Sequence, residues 1–128
     1  MKKALYSFLV IGLLFSCGPK EGQQNVGASE FQTAIAGETG AQVLDVRTVD
    51  EFQNGHIEGA INIDVEGMTF DGDIAQLDKS KTYAVYCHSG RRSGIAVGKM
   101  SDAGFTKLFN LDGGIQVWQA AGLPLVTQ

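Results

Sequence analysis

The sequence has little proline, cysteine, histidine or tryptophan: two prolines, two cysteines, two histidines and one tryptophan in 128 residues. Glycine is abundant, with 17 residues, but without proline this is not the composition of a disordered Pro/Gly-rich chain. Cys17 and Cys87 are too far apart to form a C-x-x-C pair, which argues against a thiol–disulfide oxidoreductase. Two histidines and one free cysteine make no convincing ligand set, so neither a metal nor another cofactor is expected.

The sequence also lacks an excess of positive charge and a long apolar run. Its formal net charge is −4 at pH 7, which argues against nucleic acid as a partner. Residues 4–15 are almost all apolar, but this run is shorter than the roughly 20 residues of a membrane-spanning helix. Because it follows Lys2 and Lys3, it is typical of a secretory signal. Removing Lys2 and Lys3 would change the formal net charge from −4 to −6.

The apolar run ends in LFSCG, residues 14–18, where the small residue before Cys17 resembles a bacterial lipobox. In that class of signal the chain is cut before the cysteine, which is then lipidated. We therefore expect a lipoprotein signal peptide (1–16), lipidated Cys17 with a flexible Gly-rich tether (17–28), and a folded domain (29–128). The acyl chains would anchor the protein in the bacterial cell envelope, facing the periplasm or the cell surface. The alternative is an ordinary secretory signal with an unmodified Cys17.

Short apolar strands alternate with helical patterns from residue 29 onward. Strands are predicted at 43–46, 60–63, 83–86 and 108–111. Helices are predicted after two apparent capping boxes, Ser29-x-x-Gln32 and Thr48-x-x-Glu51, and again before Gly104 and before Gly122. Residues 66–78 fit either a helix or an irregular loop. This order predicts an α/β fold with a parallel sheet between helices, in which ligands bind at the carboxyl ends of the strands.

The segment CHSGRRS, residues 87–93, follows one predicted strand and opens a helix. Backbone N–H groups of a tight loop and the positive end of the helix dipole would bind an anion there. Gly90 permits an unusual backbone angle, Ser93 is placed to cap the helix, and Arg91 and Arg92 add positive charge. The pKa of the Cys87 thiol is therefore expected to fall below its ordinary value, which populates the nucleophilic thiolate.

Each candidate side chain also has a purely structural interpretation. An inert buried thiol is the alternative for Cys87, and the loop around it favours a nucleophile. Arg91 and Arg92 fit either an anion contact or a solvated surface. His88 is expected to shape the pocket with Ser89 and Gly90, rather than to act as a base. Phe31, Phe52, Phe105 and Trp118 are assigned to the core.

Three ordered motifs resemble those of rhodanese-like sulfurtransferases. These are LDVR (44–47) followed by Glu51-Phe52 and GHIEGAINI (55–63), then YCHSGRRS (86–93), then NLDGGI (110–115) with Trp118 and GLP (122–124). The resemblance covers roughly residues 29–125. It implies a three-layer α/β/α fold with a five-stranded parallel sheet, and Cys87 as the persulfide-forming nucleophile.

The resemblance also implies roles for the other site residues. His88, Ser89, Gly90, Arg91, Arg92 and Ser93 would bind the substrate. Asp45, Arg47, Glu51 and His56 would support the site, with His56 as a buried, hydrogen-bonded residue. From the residues themselves, Arg47 and Glu51 are expected to form an ion pair that fixes the loop after the strand, and the alternative is an acid–base group of Asp45, Arg47 and Glu51. Asp45 resembles a residue that lines the site in some members.

The expected function is transfer of a sulfane sulfur from a donor such as thiosulfate to a thiophilic acceptor, through the Cys87 persulfide. The expected partners are a small sulfur donor and a thiol acceptor, which includes a thioredoxin-like protein, and the chain is expected to be a monomer. The alternative is a weakly active binding or sulfur-carrier module at the membrane. Related phosphatases carry a loop one residue longer, with arginine at the position of Ser93, so phosphatase and arsenate-reductase activities are disfavoured.

Overall fold

The structure, a computed structural model, describes residues 22–37 and 40–127. The predicted signal peptide, Cys17 and the first part of the predicted tether lie outside the described residues. No helix within the described ranges is long and apolar enough to cross a membrane.

A five-stranded, all-parallel sheet forms the centre of the domain, which confirms the predicted α/β class. The strands are Gln23–Val26 (β1), Gln42–Asp45 (β2), Ile61–Asn62 (β3), Tyr83–Tyr86 (β4) and Leu108–Leu111 (β5). Their spatial order is β1-β5-β4-β2-β3, so β4 lies in the middle. All four residues of β4 are buried, as expected for a strand covered on both faces.

Helices cover both faces of the sheet. They are Ala28–Ala36 (α1), Val49–Gln53 (α2), Phe70–Ile74 (α3), Arg91–Asp102 (α4) and Gly114–Ala120 (α5). Because side chains alternate along a strand, Tyr83 and Val85 of β4 pack in one core with α3 and α4. Ala84 and Tyr86 pack in a second core with α1 and α5. The predicted three-layer α/β/α arrangement is therefore correct.

Strand β1 corrects the predicted tether, because residues 23–26 belong to the sheet and α1 begins at Ala28. The polar sequence QQNV conceals this strand, since only Val26 of its four side chains is buried. Backbone pairing with β5 and a hydrogen bond from the Asn110 amide to Asn25 Oδ1 (3.0 Å) hold it at the edge. A strand held mainly by its backbone has little apolar pattern to detect.

The two predicted capping boxes have different outcomes. The Thr48–Glu51 box is confirmed: the Glu51 N–H donates to Thr48 Oγ1 (3.2 Å), and the Thr48 N–H donates to Glu51 Oε1 (3.5 Å). The Ser29–Gln32 box is wrong, because α1 already includes Ser29 and has Gly27 at its N-cap, with no side-chain cap. In the ambiguous stretch 66–78, only α3 is helical.

Candidate active site

Cys87 directly follows the central strand β4, at the carboxyl edge of the sheet. Residues 87–92, called the catalytic loop below, turn from β4 into α4, which begins at Arg91. Gly90 is the N-cap of α4 and has φ = 106°, a left-handed conformation that favours glycine. The turn after β5 packs against this loop, where the Ile115 N–H donates to the Cys87 carbonyl (2.8 Å). Cys87 is thus fixed by two elements of the core.

The Cys87 sulfur is completely buried and surrounded by hydrogen-bond donors. The Gly90 N–H donates to Sγ at 3.0 Å, and Ser93 Oγ lies 3.4 Å from Sγ. Burial raises the pKa of the thiol, but hydrogen bonds from the Ser93 hydroxyl and from the Ser93, Gly90 and Ser89 backbone outweigh it, so the pKa is lowered. The predicted direction is confirmed, and hydrogen bonds from Ser93, Gly90 and Ser89 are the main groups that lower the pKa.

Ser93 has a role that differs from the predicted one. It does not cap α4 but lies inside the helix, fully buried, with its hydroxyl donating to the Gly90 carbonyl (3.2 Å) and accepting from the Cys87 thiol. A hydroxyl has one proton, so when the thiol ionises, Oγ–H can turn from the carbonyl to the sulfur. Ser93 follows Cys87 by six residues. The first turn of α4 therefore places its hydroxyl next to the Cys87 sulfur.

The two loop arginines have separate carboxylate partners. Both terminal nitrogens of Arg92 donate to Glu51, at 2.8 and 2.9 Å, with side-chain exposures of 16% and 33%. Arg91 projects outward, 72% exposed, and forms a 3.3 Å ion pair with Glu66. The Arg92 hydrogen bonds hold the pKa of Glu51 at about 2, so this carboxyl group is ionised at neutral pH. The predicted Arg47–Glu51 pair is therefore wrong, since Glu51 reaches the catalytic loop instead.

Arg47 pairs with Asp45 instead, and this pair is buried beneath the rim of the site. Its Nη2 donates to Asp45 Oδ2 at 2.7 Å and to the Gly55 carbonyl at 2.7 Å. The Tyr86 hydroxyl donates to the same Asp45 oxygen at 2.6 Å and accepts the Ile57 N–H at 3.0 Å. Burial and the Asp45 charge raise the pKa of Tyr86, so the phenol stays protonated. Asp45 therefore holds the segment after α2 in place and does not line the surface of the site.

The family of the chain follows from comparison with known sequences. The family model described as Rhodanese-like domain matches residues 27–121. This range includes strand β4, the catalytic loop that follows it, and the turn after β5 that packs against the loop. The chain belongs to the rhodanese-like family.

Relatives named as thiosulfate sulfurtransferases match most of the rhodanese-like domain. The chain is 35% identical over 80 residues to the thiosulfate sulfurtransferase GlpE of Shewanella oneidensis, covering 62% of this chain and 77% of that protein. It is 39% identical over 70 residues to the thiosulfate sulfurtransferase PspE of Escherichia coli, covering 55% and 67%. A Bacillus subtilis protein described as a candidate sulfur carrier is 28% identical over 93 residues, covering 73% and 49%.

Solved structures agree with the rhodanese-like fold. A rhodanese-related protein from Thermoplasma volcanium superposes with a TM-score of 0.67 at 31% identity, covering 82% of this chain and 99% of that one. The rhodanese-like domain of an Anabaena protein gives a TM-score of 0.73 at 29% identity, covering 84% and 80%.

The two histidines of the rhodanese-like domain are placed very differently. His56 is buried, as predicted: its Nδ1 lies 2.8 Å from the Phe52 carbonyl, and its ring stacks on Phe52 at 3.7 Å between centroids. Phe52 itself is only half-buried, unlike Phe31 and Phe105. His88 is exposed, and its Nε2 lies 3.1 Å from the Gln116 amide. His88 has no contact with the sulfur that would make it a base.

A cleft of about 330 Å³ opens beside the catalytic loop of the rhodanese-like domain. Arg47, Glu51, His88 and Ile115 are among the residues that line it. No group of three or more His, Cys, Asp or Glu side chains in the described part of the chain could hold a metal ion.

Sequence reasoning missed Glu66, Tyr86 and Gly114 as residues that support this site. A β-carbon on Gly114, whose φ is 66°, would overlap the His88 carbonyl. The Gly-Gly pair in the third motif was the only signal that pointed to this close approach.

Proposed function

We propose that this rhodanese-like domain is a sulfurtransferase that moves a sulfane sulfur from a donor such as thiosulfate to a thiophilic acceptor through a persulfide on Cys87. The observation that carries this proposal is the environment of the sulfur. Sγ receives the Gly90 N–H at 3.0 Å and lies 3.4 Å from the Ser93 hydroxyl, which favours the thiolate. The relatives GlpE and PspE are named thiosulfate sulfurtransferases, which supports the same reaction.

The reaction needs no oxidant and no general base once the thiolate exists. The Cys87 thiolate attacks the outer sulfur of thiosulfate, the S–S bond of thiosulfate breaks, and sulfite leaves with the bonding electron pair. The product is a Cys87 persulfide whose negative charge lies on the outer sulfur. Cyanide attacks that sulfur and leaves as thiocyanate, or a thiolate attacks it and leaves as a small-molecule persulfide. In both cases the Cys87 thiolate is restored.

Charge stabilisation by the loop supplies the catalysis in this proposal. Backbone N–H groups aimed at the sulfur are already fixed before the donor arrives, so no reorganisation accompanies the movement of charge. Fixed donors in a buried site act more strongly than donors in water. In the cell, the acceptor that we propose is a thiol, carried by a small molecule or by a thioredoxin-like protein.

The intact mass of the reduced chain lacking residues 1–17, in which Cys87 is the one remaining cysteine, measured after brief incubation with thiosulfate, tests the proposal. We expect a gain of one sulfur atom in the wild type and none in Cys87→Ser, whose folding is checked by circular dichroism. Serine is close to cysteine in size, so the substitution should leave the buried loop intact. Persulfide formation by the folded Cys87→Ser variant would contradict the assignment of the nucleophile.

A second candidate function is sulfur carriage to one protein partner with little turnover of small donors. The complete burial of Cys87 favours it, because a buried sulfur restricts access by reagents in solution. The relative described as a candidate sulfur carrier points the same way. A stable persulfide that cyanide removes slowly, and that a partner thiol removes quickly, would support carriage over turnover.

We further propose that the chain is a lipoprotein, processed before Cys17 and held in the cell envelope by acyl chains. The support is the LFSCG sequence after a short apolar run. Metabolic labelling with an alkyne fatty acid should label the wild type in a bacterial host and should not label Cys17→Ala. Equal labelling of both forms would contradict lipidation at Cys17.

A further inference from the structure

Arg92 is the less exposed of the two arginines in the catalytic loop, and a carboxylate already occupies its guanidinium. Its charge interacts with the Cys87 thiolate, which contributes to the raised pKa of Arg92. Both terminal nitrogens donate to the two oxygens of Glu51, at 2.8 and 2.9 Å. Arg91 offers no replacement, since it is mostly exposed and paired with Glu66.

A sulfonate would use the same face of Arg92 as Glu51 does. Guanidinium groups bind carboxylates and other oxyanions through two parallel N–H bonds, and thiosulfate presents a pair of oxygens for such binding. The two anions exclude each other from that face. Arg47, which lines the cleft beside the loop, is likewise occupied by Asp45 and by the Gly55 carbonyl.

Glu51 is held in this position by more than Arg92. Its Oε1 also accepts from the Thr48 hydroxyl at 3.2 Å and from the Thr48 N–H at 3.5 Å, as part of the α2 capping box. Glu51 lines the cleft as well, so a donor that enters there meets its negative charge. A capped helix start keeps the carboxylate beside the loop even when a ligand competes for Arg92.

We propose that Glu51 is a specificity-determining residue: by occupying the anion-binding face of Arg92, it disfavours doubly charged donors such as thiosulfate relative to singly charged sulfane donors. This inference rests on the proposed sulfur transfer through Cys87. In this proposal the Arg92–Glu51 pair selects between donors of different charge. The backbone N–H groups at Sγ stabilise the Cys87 thiolate whichever donor binds.

Two donors that differ by one charge provide the test. Thiosulfate is a dianion and releases sulfite, whereas methanethiosulfonate is a monoanion and releases methanesulfinate. In both, the Cys87 thiolate attacks the terminal sulfur, the S–S bond breaks, and the leaving group takes the electron pair. The kcat and KM of sulfur transfer to cyanide are measured for each donor at one fixed, low ionic strength, because salt screens partly exposed charges.

Glu51→Gln is the test variant and Asp50→Asn its matched control. Glutamine serves in a capping box, so α2 keeps its start while the charge and one acceptor are lost. Asp50 is the exposed neighbour on the same helix, and its substitution removes the same charge away from Arg92. In Glu51→Gln we expect kcat/KM for thiosulfate to rise roughly tenfold, mainly through KM, and that for methanethiosulfonate by less than about threefold. Asp50→Asn should change either value by less than about twofold.

Binding of an unreactive dianion gives a readout that does not depend on turnover. Sulfate is titrated into each protein while the backbone amide signals of Gly90 and Arg92 are followed by NMR. We expect roughly tenfold tighter sulfate binding in Glu51→Gln than in the wild type and in Asp50→Asn.

Unchanged sulfate affinity in Glu51→Gln, or equal gains with both donors, would overturn the inference. The same holds if thiosulfate KM rises in Glu51→Gln, because Glu51 would then orient Arg92 for the donor. Failure of the proposed function looks different: the wild type would transfer sulfur from neither donor, while the sulfate titration would still report on Arg92.

Discussion

The hydroxyl of Ser93 has two acceptors within reach, the Gly90 carbonyl at 3.2 Å and the Cys87 sulfur at 3.4 Å. With a neutral thiol, the proton of Ser93 satisfies the buried carbonyl. With a thiolate, the same proton stabilises the charge on sulfur, as the lowered pKa of Cys87 requires. The one buried hydroxyl of Ser93 thus serves both protonation states of Cys87.

Removing this hydroxyl should make the thiol harder to ionise. In Ser93→Ala we expect the pKa of Cys87 to rise, because burial still penalises the thiolate while one stabilising donor is gone. Since only the thiolate reacts, the rate of alkylation by iodoacetamide at pH 7 should fall severalfold, and its midpoint should move to higher pH. The measurement is the alkylation rate as a function of pH.

Ser101→Ala, on the last turn of the same helix, is the control for Ser93→Ala and should keep the wild-type profile. A Ser93→Ala profile that coincides with the wild type would show that the backbone N–H groups alone set the pKa.

At the scale of elements, the catalytic loop depends on the turn that links β5 to α5. Gly113 and Gly114 both have positive φ, at 84° and 66°, and the backbone of this turn lies against His88. The Ile115 N–H then bonds to the Cys87 carbonyl at 2.8 Å. Two chain segments far apart in sequence thereby share one rigid contact.

Gly114→Ala should therefore damage activity more than stability. The added β-carbon would overlap the His88 carbonyl, so the catalytic loop must move, and the positive φ adds strain of about 1 kcal/mol. A displacement near 1 Å at a reacting group can cost about a hundredfold in rate, which is the loss we expect in sulfur transfer. Enzyme assay and urea denaturation of the same sample separate the two effects.

Gly98→Ala is the matched control, because nothing lies within 4 Å of a β-carbon at this position of α4. It should retain full activity and gain up to about 1 kcal/mol of stability from helix propensity. Full activity of Gly114→Ala would mean that the contact with His88 does not position the loop.

The elements that sequence predicted well are those whose pattern is set locally. Four strands were found because their apolar side chains are contiguous, and the α2 capping box because Thr48 and Glu51 satisfy it within one turn. The pairing of Glu51 with Arg92 was missed because it joins residues 41 positions apart and depends on how α2 meets the catalytic loop. Arg47 could reach either carboxylate from sequence alone, and only the fold places Asp45 nearer.

At the scale of the whole molecule, β1 extends the rhodanese-like domain toward its N-terminus. It forms one edge of the sheet beside β5, while the two-residue β3 forms the other. Val26 of β1 is 4% exposed and packs in the same core as Phe31 and Trp118. The cooperative unit therefore includes residues that the sequence alone assigned to a linker.

Truncation of the chain tests whether the edge strand β1 stabilises the folded domain. A chain that begins at residue 28 should unfold at lower urea concentration than one that begins at residue 22, with a loss of roughly 3 kcal/mol from the strand's hydrogen bonds and the burial of Val26. The chain from residue 22 should match the chain from residue 17, since it keeps β1. Identical midpoints for the chains from 22 and 28 would contradict a structural role for β1.

One contact made near the far end of the chain also bears on the order in which the protein is built. His56 and Val126 exchange two backbone hydrogen bonds of 2.8 Å, in an isolated antiparallel bridge that pins the segment just after α2. Synthesis runs from the N-terminus, so Val126 leaves the ribosome after every other residue of the site. Cys87 is therefore translated well before the His56–Val126 bridge can hold the segment next to Glu51. The bridge that holds the segment after α2 can therefore form only after all the other residues of the site have been made.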